Sequence, residues 1–216
     1  MSVGYAPTIS RPMKTALNLP NQITIARLGL SIVFFVLLSQ YAHRTPRPGM
    51  LDVAALIFIV AAATDFLDGY LARKRHQVTA LGRVLDPLVD KVLICGAFIL
   101  LSGRAFVDAT GQNVTEVQSW MVVLIVGREM LVTGLRGFNE AIGKSFGASV
   151  YGKVKMWMQS IAIPAILLIV AHEEFLGAAA HPAKQTLVWL TVVVTVLSTV
   201  TYLVRSRHIL EESTPA

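Results

Sequence analysis

Six stretches of the chain are dominated by apolar residues, roughly 23–41, 51–71, 83–101, 117–135, 151–171 and 185–204. Each approaches the ~20 residues that a helix needs to cross a bilayer. The last stretch, QTLVWLTVVVTVLSTVTYLV, carries no charge. The others are interrupted. Only twelve uncharged residues separate Asp52 from Asp65, twelve separate Lys91 from Arg104, and eleven separate Glu116 from Arg128. Runs this short span a membrane only if the charged residues belong to the same helices. Ionisable groups at that depth are costly and face a wet cavity or a partner. Between the stretches lie breaker clusters: HRTPRPGM at 43–50, polar residues at 74–80, and glycine-bearing segments at 103–115, 137–149 and 173–184. The pattern predicts an all-α integral membrane protein with six transmembrane helices. It divides the chain into an N-terminal cytoplasmic or interfacial segment (1–22), a six-helix transmembrane catalytic domain (23–205) and a cytoplasmic tail (206–216).

Composition strengthens this picture. The chain is 54% hydrophobic and only 15% charged, against about 25% charged in a soluble domain. The alternative, a soluble bundle of buried helices, is opposed by this low charge and by the uncharged last stretch. Cys95 is the only cysteine, so an intrachain disulfide and a cysteine-based metal cluster are excluded. The net charge of +6 does not point to nucleic acid, because the charges flank the apolar stretches. With the N-terminus in the cytoplasm, 14 of the 19 Lys and Arg fall on the cytoplasmic side, four fall on the other side, and Lys91 lies within the third helix. That bias predicts a multi-pass protein of the inner or plasma membrane with both termini inside. The first residues carry no apolar core before a small-residue cleavage site, so no signal peptide is expected.

Four aspartates fall within 26 residues, in ATDFLDGYLARKRHQVTALGRVLDPLVDKV. Asp65 and Asp68 are spaced i, i+3 near the end of the second helix, and Asp86 and Asp90 are spaced i, i+4 near the start of the third. Each pair shares a helix face. A short connection makes the two helices antiparallel neighbours whose acidic faces can meet at the cytoplasmic boundary. Four converging carboxylates at membrane depth need cations. Oxygen ligands alone fit hard divalent ions, magnesium or manganese, and four carboxylates suit two ions about 3.5–4 Å apart. Zinc is disfavoured, since no Cys or His lies at ligand spacing. Gly69 and Gly82 leave the backbone open beside the acidic faces, and Arg73 can pair with a phosphate. A set of interhelical ion pairs is the alternative, but the nearby cations cluster in the connection.

These residues read D-x2-D-G-x2-A-R-x8-G-x3-D-x3-D, formed by Asp65, Asp68, Gly69, Ala72, Arg73, Gly82, Asp86 and Asp90. This resembles the signature of the CDP-alcohol phosphotransferase family, with every position and gap filled. The resemblance implies a six-helix membrane fold, a homodimer, and a magnesium or manganese pair at the cytoplasmic face. It implies that Asp65, Asp68, Asp86 and Asp90 bind metal and that Asp90 also acts as general base. The CDP moiety would sit against Asp65, Asp68, Gly69, Ala72, Arg73 and Gly82. The activity implied is transfer of a phosphatidyl group from a CDP-linked lipid to an alcohol.

A second basic set bears on the alcohol. Arg128 and Arg136 are eight residues apart on the fourth helix, about 80° apart in projection. Lys153 and Lys155 open the fifth. At the level of the aspartates they form a cationic pocket suited to an acceptor that carries its own phosphate. Positive-inside topology alone could account for Lys144 and Lys155. Glu129 stands where it could orient one of the cations. Three further segments resemble the branch of the family that uses glycerol 3-phosphate with CDP-diacylglycerol. They are Asn18 and Pro20-Asn21 with Thr24 and Arg27; Arg128-Glu129 with Leu135-Arg136; and Gly152-Lys153 with Lys155 and Gln159. Met156 departs from the threonine usual in that branch. Lys91, beside Asp90, is a further candidate. Inositol phosphate, or phosphatidylglycerol as in a cardiolipin synthase, stays open as acceptor. A cation transporter is a rival of another class, but its carboxylates should lie near the bilayer midplane. The five histidines lie in loops or tails and are assigned no role.

Overall fold

The computed structural model describes residues 19–75, 80–141 and 150–211. The expected interfacial segment lies almost wholly outside them. Among the described residues the architecture is all-helical. Six long helices dominate: α1 (Leu19–Gln40), α2 (Pro48–Arg75), α3 (Ala80–Leu101), α4 (Ser119–Ala141), α5 (Val150–Ala171) and α7 (Ala180–Glu211). A short α6 (Glu173–Leu176) and a 3-10 turn precede α7, and another 3-10 turn (Arg104–Phe106) follows α3. The only extended pairing among the described residues is an isolated bridge between Val107 and Asn113.

The six predicted stretches each lie largely on one of these helices, with shifted ends. Pro48 opens α2 inside the segment expected to be a connection, because a proline in the first turn gives up an N–H that has no helical partner anyway. The fourth helix runs through Gly137 to Ala141. The seventh continues to Glu211, past the expected boundary at 205. Among the described residues, three helical spans are long and apolar enough to cross a membrane: Asn21–Gln40, Val150–Ala171 and Glu173–Val204. A shorter apolar run, Pro48–Thr64, ends just before Asp65.

The long helices close a ring in the order α1, α2, α5, α7, α4, α3. Within it, α2 is held chiefly by α1 and α5, and α3 chiefly by α1. The close antiparallel pairing of α2 with α3 expected from their short connection is reduced to a light contact among the described residues. A short connection fixes where a helix starts, whereas the larger apolar faces decide what it packs against.

The apolar core fills one half of the ring. Phe34, Leu38, Leu51, Phe58, Leu93, Phe98, Ile125 and Ile166 are fully or almost fully buried there. Phe34 packs on Phe58 with ring centroids 5.5 Å apart. Gly96 lets α3 approach α1 closely, since a Cβ at this position would lie 2.5 Å from Cζ of Phe35. The outer surface is also apolar. Val123, Met130, Leu56, Trp157 and Val200 are all exposed. Large apolar side chains exposed on every long helix are what a lipid-facing surface requires.

At the end of the ring away from the aspartates, polar contacts tie the connections together. Asp108 accepts hydrogen bonds from the Thr110 hydroxyl at 2.7 Å and from the Thr110 and Gln112 amides at 2.8 and 2.9 Å. These bonds, that of the Thr110 hydroxyl foremost, hold its exposed carboxyl below the usual carboxylate range. His172 pairs with Asp52 at 2.9 Å, His181 with Glu116 at 3.0 Å, and Lys184 with Glu173 at 2.9 Å. Two histidines that showed no partner in the sequence therefore join helix ends that are distant along the chain.

Candidate active site

Helix direction brings the polar residues to one end. The first and third helices begin there; the second ends there, as do α4 and α7; the fifth begins there. The second half of α2 and the first turns of α3 thus lie at the same end of the ring as the C-terminal halves of α4 and α7 and the start of α5. Asp65, Asp68, Gly69, Ala72 and Arg73 lie on that part of α2, and Gly82 and Asp86 on that part of α3. The side chains of these seven residues lie outside those described. Pro87 interrupts the hydrogen-bond ladder of α3 between Asp86 and Asp90.

Asp90 is described, and it lines a cavity of about 490 Å³. The same cavity is lined by Lys91, Arg128, Arg136, Lys153 and Lys155. Six residues proposed from the sequence, drawn from three helices, therefore share one space. Asn21, Thr24 and Arg27 are almost completely buried on α1 near the same end, but they do not line the cavity. Their spacing of three places them along one stripe of the helix.

The electrostatics of the cavity are set by a buried triad. Lys155 Nζ donates to Glu129 Oε1, and Arg128 Nη1 donates to the same oxygen at 3.1 Å. Arg128, Glu129 and Lys155 are 8%, 7% and 6% exposed, so all three have left bulk water. Burying charge is costly unless it is paired. One carboxylate between two cations offsets that cost and still leaves a net positive wall. Lys153, two residues before Lys155, is exposed at the rim. Two residues on a helix are about 200° apart in projection, so Lys155 turns into the bundle while Lys153 meets the cavity only at its exposed rim.

The last helix supplies residues that the sequence did not single out. Tyr202 lines the cavity and is 2% exposed. Its hydroxyl accepts a hydrogen bond from Arg136 Nη2. The guanidinium carbons of Arg128 and Arg136 lie 5.5 and 5.3 Å from its ring centroid. Ser198, one turn earlier, accepts from Arg128 Nε at 3.1 Å and passes its own proton to the carbonyl of Thr195 at 2.8 Å. Thr191, Thr195, Ser198 and Tyr202 recur at helical spacing and are all buried, but it is their partners on α4 that mark Ser198 and Tyr202 out.

Among the described residues, no three His, Cys, Asp or Glu side chains come together as a metal site. Asp90 alone of the four aspartates is within the described side chains. The donor type carried by these ends of α2 and α3 is carboxylate, which fits hard divalent ions. The wall formed by α4, α5 and α7 suits an anion with several oxygens: it offers guanidinium and ammonium donors from two sides.

Residues 17–197 match the family model of CDP-alcohol phosphatidyltransferases. A Bacillus subtilis protein named CDP-diacylglycerol–glycerol-3-phosphate 3-phosphatidyltransferase is 36% identical over 188 residues, covering 84% of this chain and 91% of its own. Proteins of the same name from Rickettsia bellii and Escherichia coli K12 are each 38% identical over 156 residues. The first alignment covers 72% of this chain and 78% of the relative, and the second 69% and 76%.

Proposed function

Because the chain belongs to the CDP-alcohol phosphatidyltransferase family, we propose that it transfers the phosphatidyl group of CDP-diacylglycerol to glycerol 3-phosphate, the reaction in the names of its relatives. The products are phosphatidylglycerol phosphate and CMP. It is a multi-pass membrane enzyme of phospholipid synthesis. The observation that carries the choice of acceptor is the shared cavity: Asp90 and a buried cationic wall line the same space.

The wall of Arg128, Arg136 and Lys155, with Lys153 at the rim, holds the phosphate of the acceptor. With the phosphate held there, the primary hydroxyl of glycerol 3-phosphate faces the aspartates. Asp90 takes the proton of this hydroxyl, the oxygen attacks the β-phosphorus of the CDP-lipid, and the bond from that phosphorus to the CMP oxygen breaks. A carboxylate is a weak base for an alcohol, so positioning of the two substrates carries most of the rate. Divalent ions, two of magnesium or manganese, would be held by Asp65, Asp68, Asp86 and Asp90 and would supply charge neutralisation at the pyrophosphate. Gly69, Ala72, Arg73 and Gly82 would bound the CDP moiety. Asn21, Thr24 and Arg27 form a buried polar stripe that supports the site from α1, and Lys91 adds a cation beside Asp90.

The six long helices all cross the membrane in this reading, with the aspartates and both termini on the cytoplasmic side of the inner or plasma membrane. The Lys and Arg bias and the exposed apolar side chains on α2, α3 and α4 support it. The family resemblance implies a homodimer. The test supplies purified protein with CDP-diacylglycerol, magnesium and a panel of labelled acceptors. CMP release with glycerol 3-phosphate alone is expected. Release with inositol phosphate or phosphatidylglycerol instead would reassign the acceptor, and no release with any acceptor would sink the reading.

A further inference from the structure

The two arginines of the cavity wall face a physical problem. They carry like charges on one helix, eight residues apart, and each side chain has about 2 kcal/mol of rotamer entropy to lose before it can grip an anion. Glu129, its neighbour on α4, pairs with Arg128 and is shared with Lys155 of α5. Arg136 has no carboxylate within ion-pair distance among the described residues. Its described polar partner is the Tyr202 hydroxyl.

We propose that Tyr202 and Ser198 are positioning residues that preset Arg128 and Arg136 for the phosphate of the acceptor, making the last helix a determinant of acceptor affinity. Four contacts made by two side chains support this. The Tyr202 ring lies within cation–π range of both guanidiniums. Its hydroxyl fixes Arg136 through Nη2, which leaves the other donors of the fork available. The Ser198 hydroxyl gives its proton to Thr195, so the lone pair it turns to Arg128 Nε is held by the helix backbone. An aromatic face and two neutral acceptors hold cations in place without cancelling their charge. Arg128 shares the Glu129 carboxylate with Lys155, whereas Arg136 keeps its full charge for the phosphate. Tyr202 borders the cavity but is 2% exposed, and its hydroxyl holds Arg136, so it acts through the arginines.

The proposal rests on reading this cavity as the acceptor-phosphate site, and the test separates the two. Full-length protein in detergent is titrated with inorganic phosphate and, separately, assayed with glycerol 3-phosphate. In Tyr202→Phe, which keeps the ring and loses only the oxygen, phosphate affinity falls about 3- to 10-fold, as expected when one hydrogen bond that orients a ligand group is lost. Tyr202→Leu also removes the ring and falls about 30-fold or more. Ser198→Ala falls about 3-fold. KM for the acceptor rises in parallel, whereas kcat and the KM for CDP-diacylglycerol stay within about twofold, because preset arginines act on binding rather than on the chemical step. Unchanged phosphate affinity in Tyr202→Phe, or no phosphate binding by the wild type, overturns the proposal. So does a parallel rise in KM for both substrates, since general damage to the bundle would produce it. Weakened phosphate binding in a protein that turns over a different phosphorylated acceptor leaves the proposal standing and overturns the choice of glycerol 3-phosphate.

Discussion

Lys155 at the start of α5 donates to Glu129 on α4, and both side chains are buried beside the cavity. Lys153, one helical step to the other side, is exposed. The two lysines should therefore differ sharply. Removing one partner of a buried pair costs about 3–5 kcal/mol, whereas an exposed charge is worth about 0–1 kcal/mol. Lys155→Met is expected to lower the melting temperature clearly and to cut kcat/KM by tenfold or more. Lys153→Met should leave the melting temperature in place. Lys155→Met leaves Glu129 paired with Arg128, so adding Glu129→Gln should lower stability further by stranding the buried Arg128; a double-mutant cycle reads the Lys155–Glu129 coupling directly. Equal effects of the two lysine variants would show that the buried pair is not what holds α4 to α5.

Asp90 should be separable from the phosphate wall. Asp90→Asn keeps the size of the side chain and removes the base. The expected result is a fall in kcat of about 10²–10⁴-fold, the usual yield of a positioned proton acceptor. The KM for glycerol 3-phosphate should change far less, since Arg128, Arg136 and Lys155 remain. Normal turnover in this variant would mean that the proton goes elsewhere.

Metal dependence is expected to follow carboxylate chemistry. Chelation should abolish CMP release, magnesium or manganese should restore it, and zinc should do so poorly, because an all-oxygen site suits hard ions. Asp65→Asn, Asp68→Asn and Asp86→Asn should each raise the magnesium concentration needed for half-maximal activity. Full activity after exhaustive chelation would remove the metal from the reading.

Gly96 offers a test of packing far from the chemistry. A Cβ there would lie 2.5 Å from Cζ of Phe35. Phe35 is only partly buried, so its ring can yield to one methyl group. Gly96→Ala should cost little, and Gly96→Leu about 1–3 kcal/mol, as overpacking does. Thermal unfolding in detergent measures both. Phe35→Ala should rescue much of the Gly96→Leu loss, and a failure to rescue would place the clash elsewhere.

Local spacing made the acidic motif readable from the sequence. Aspartates at i, i+3 and i, i+4 declare a shared helix face whatever the helix packs against, and the shortage of charge declares lipid as solvent. The polar segments between apolar runs located the helices, with ends misjudged by a few residues at Pro48 and Gly137, where proline and glycine are compatible with a helix. Tertiary structure alone decided the ring order of the helices, which depends on the fit of whole apolar faces. It also decided which of Lys153 and Lys155 turns inward, a choice that two residues on one helix cannot announce. Most of all, it decided the role of the last helix. Ser198 and Tyr202 lie 70 and 66 residues along the chain from the arginines they hold. No helical period links them to α4, and only the packing of α7 against it brings a neutral ring and two hydroxyls up to the two cations.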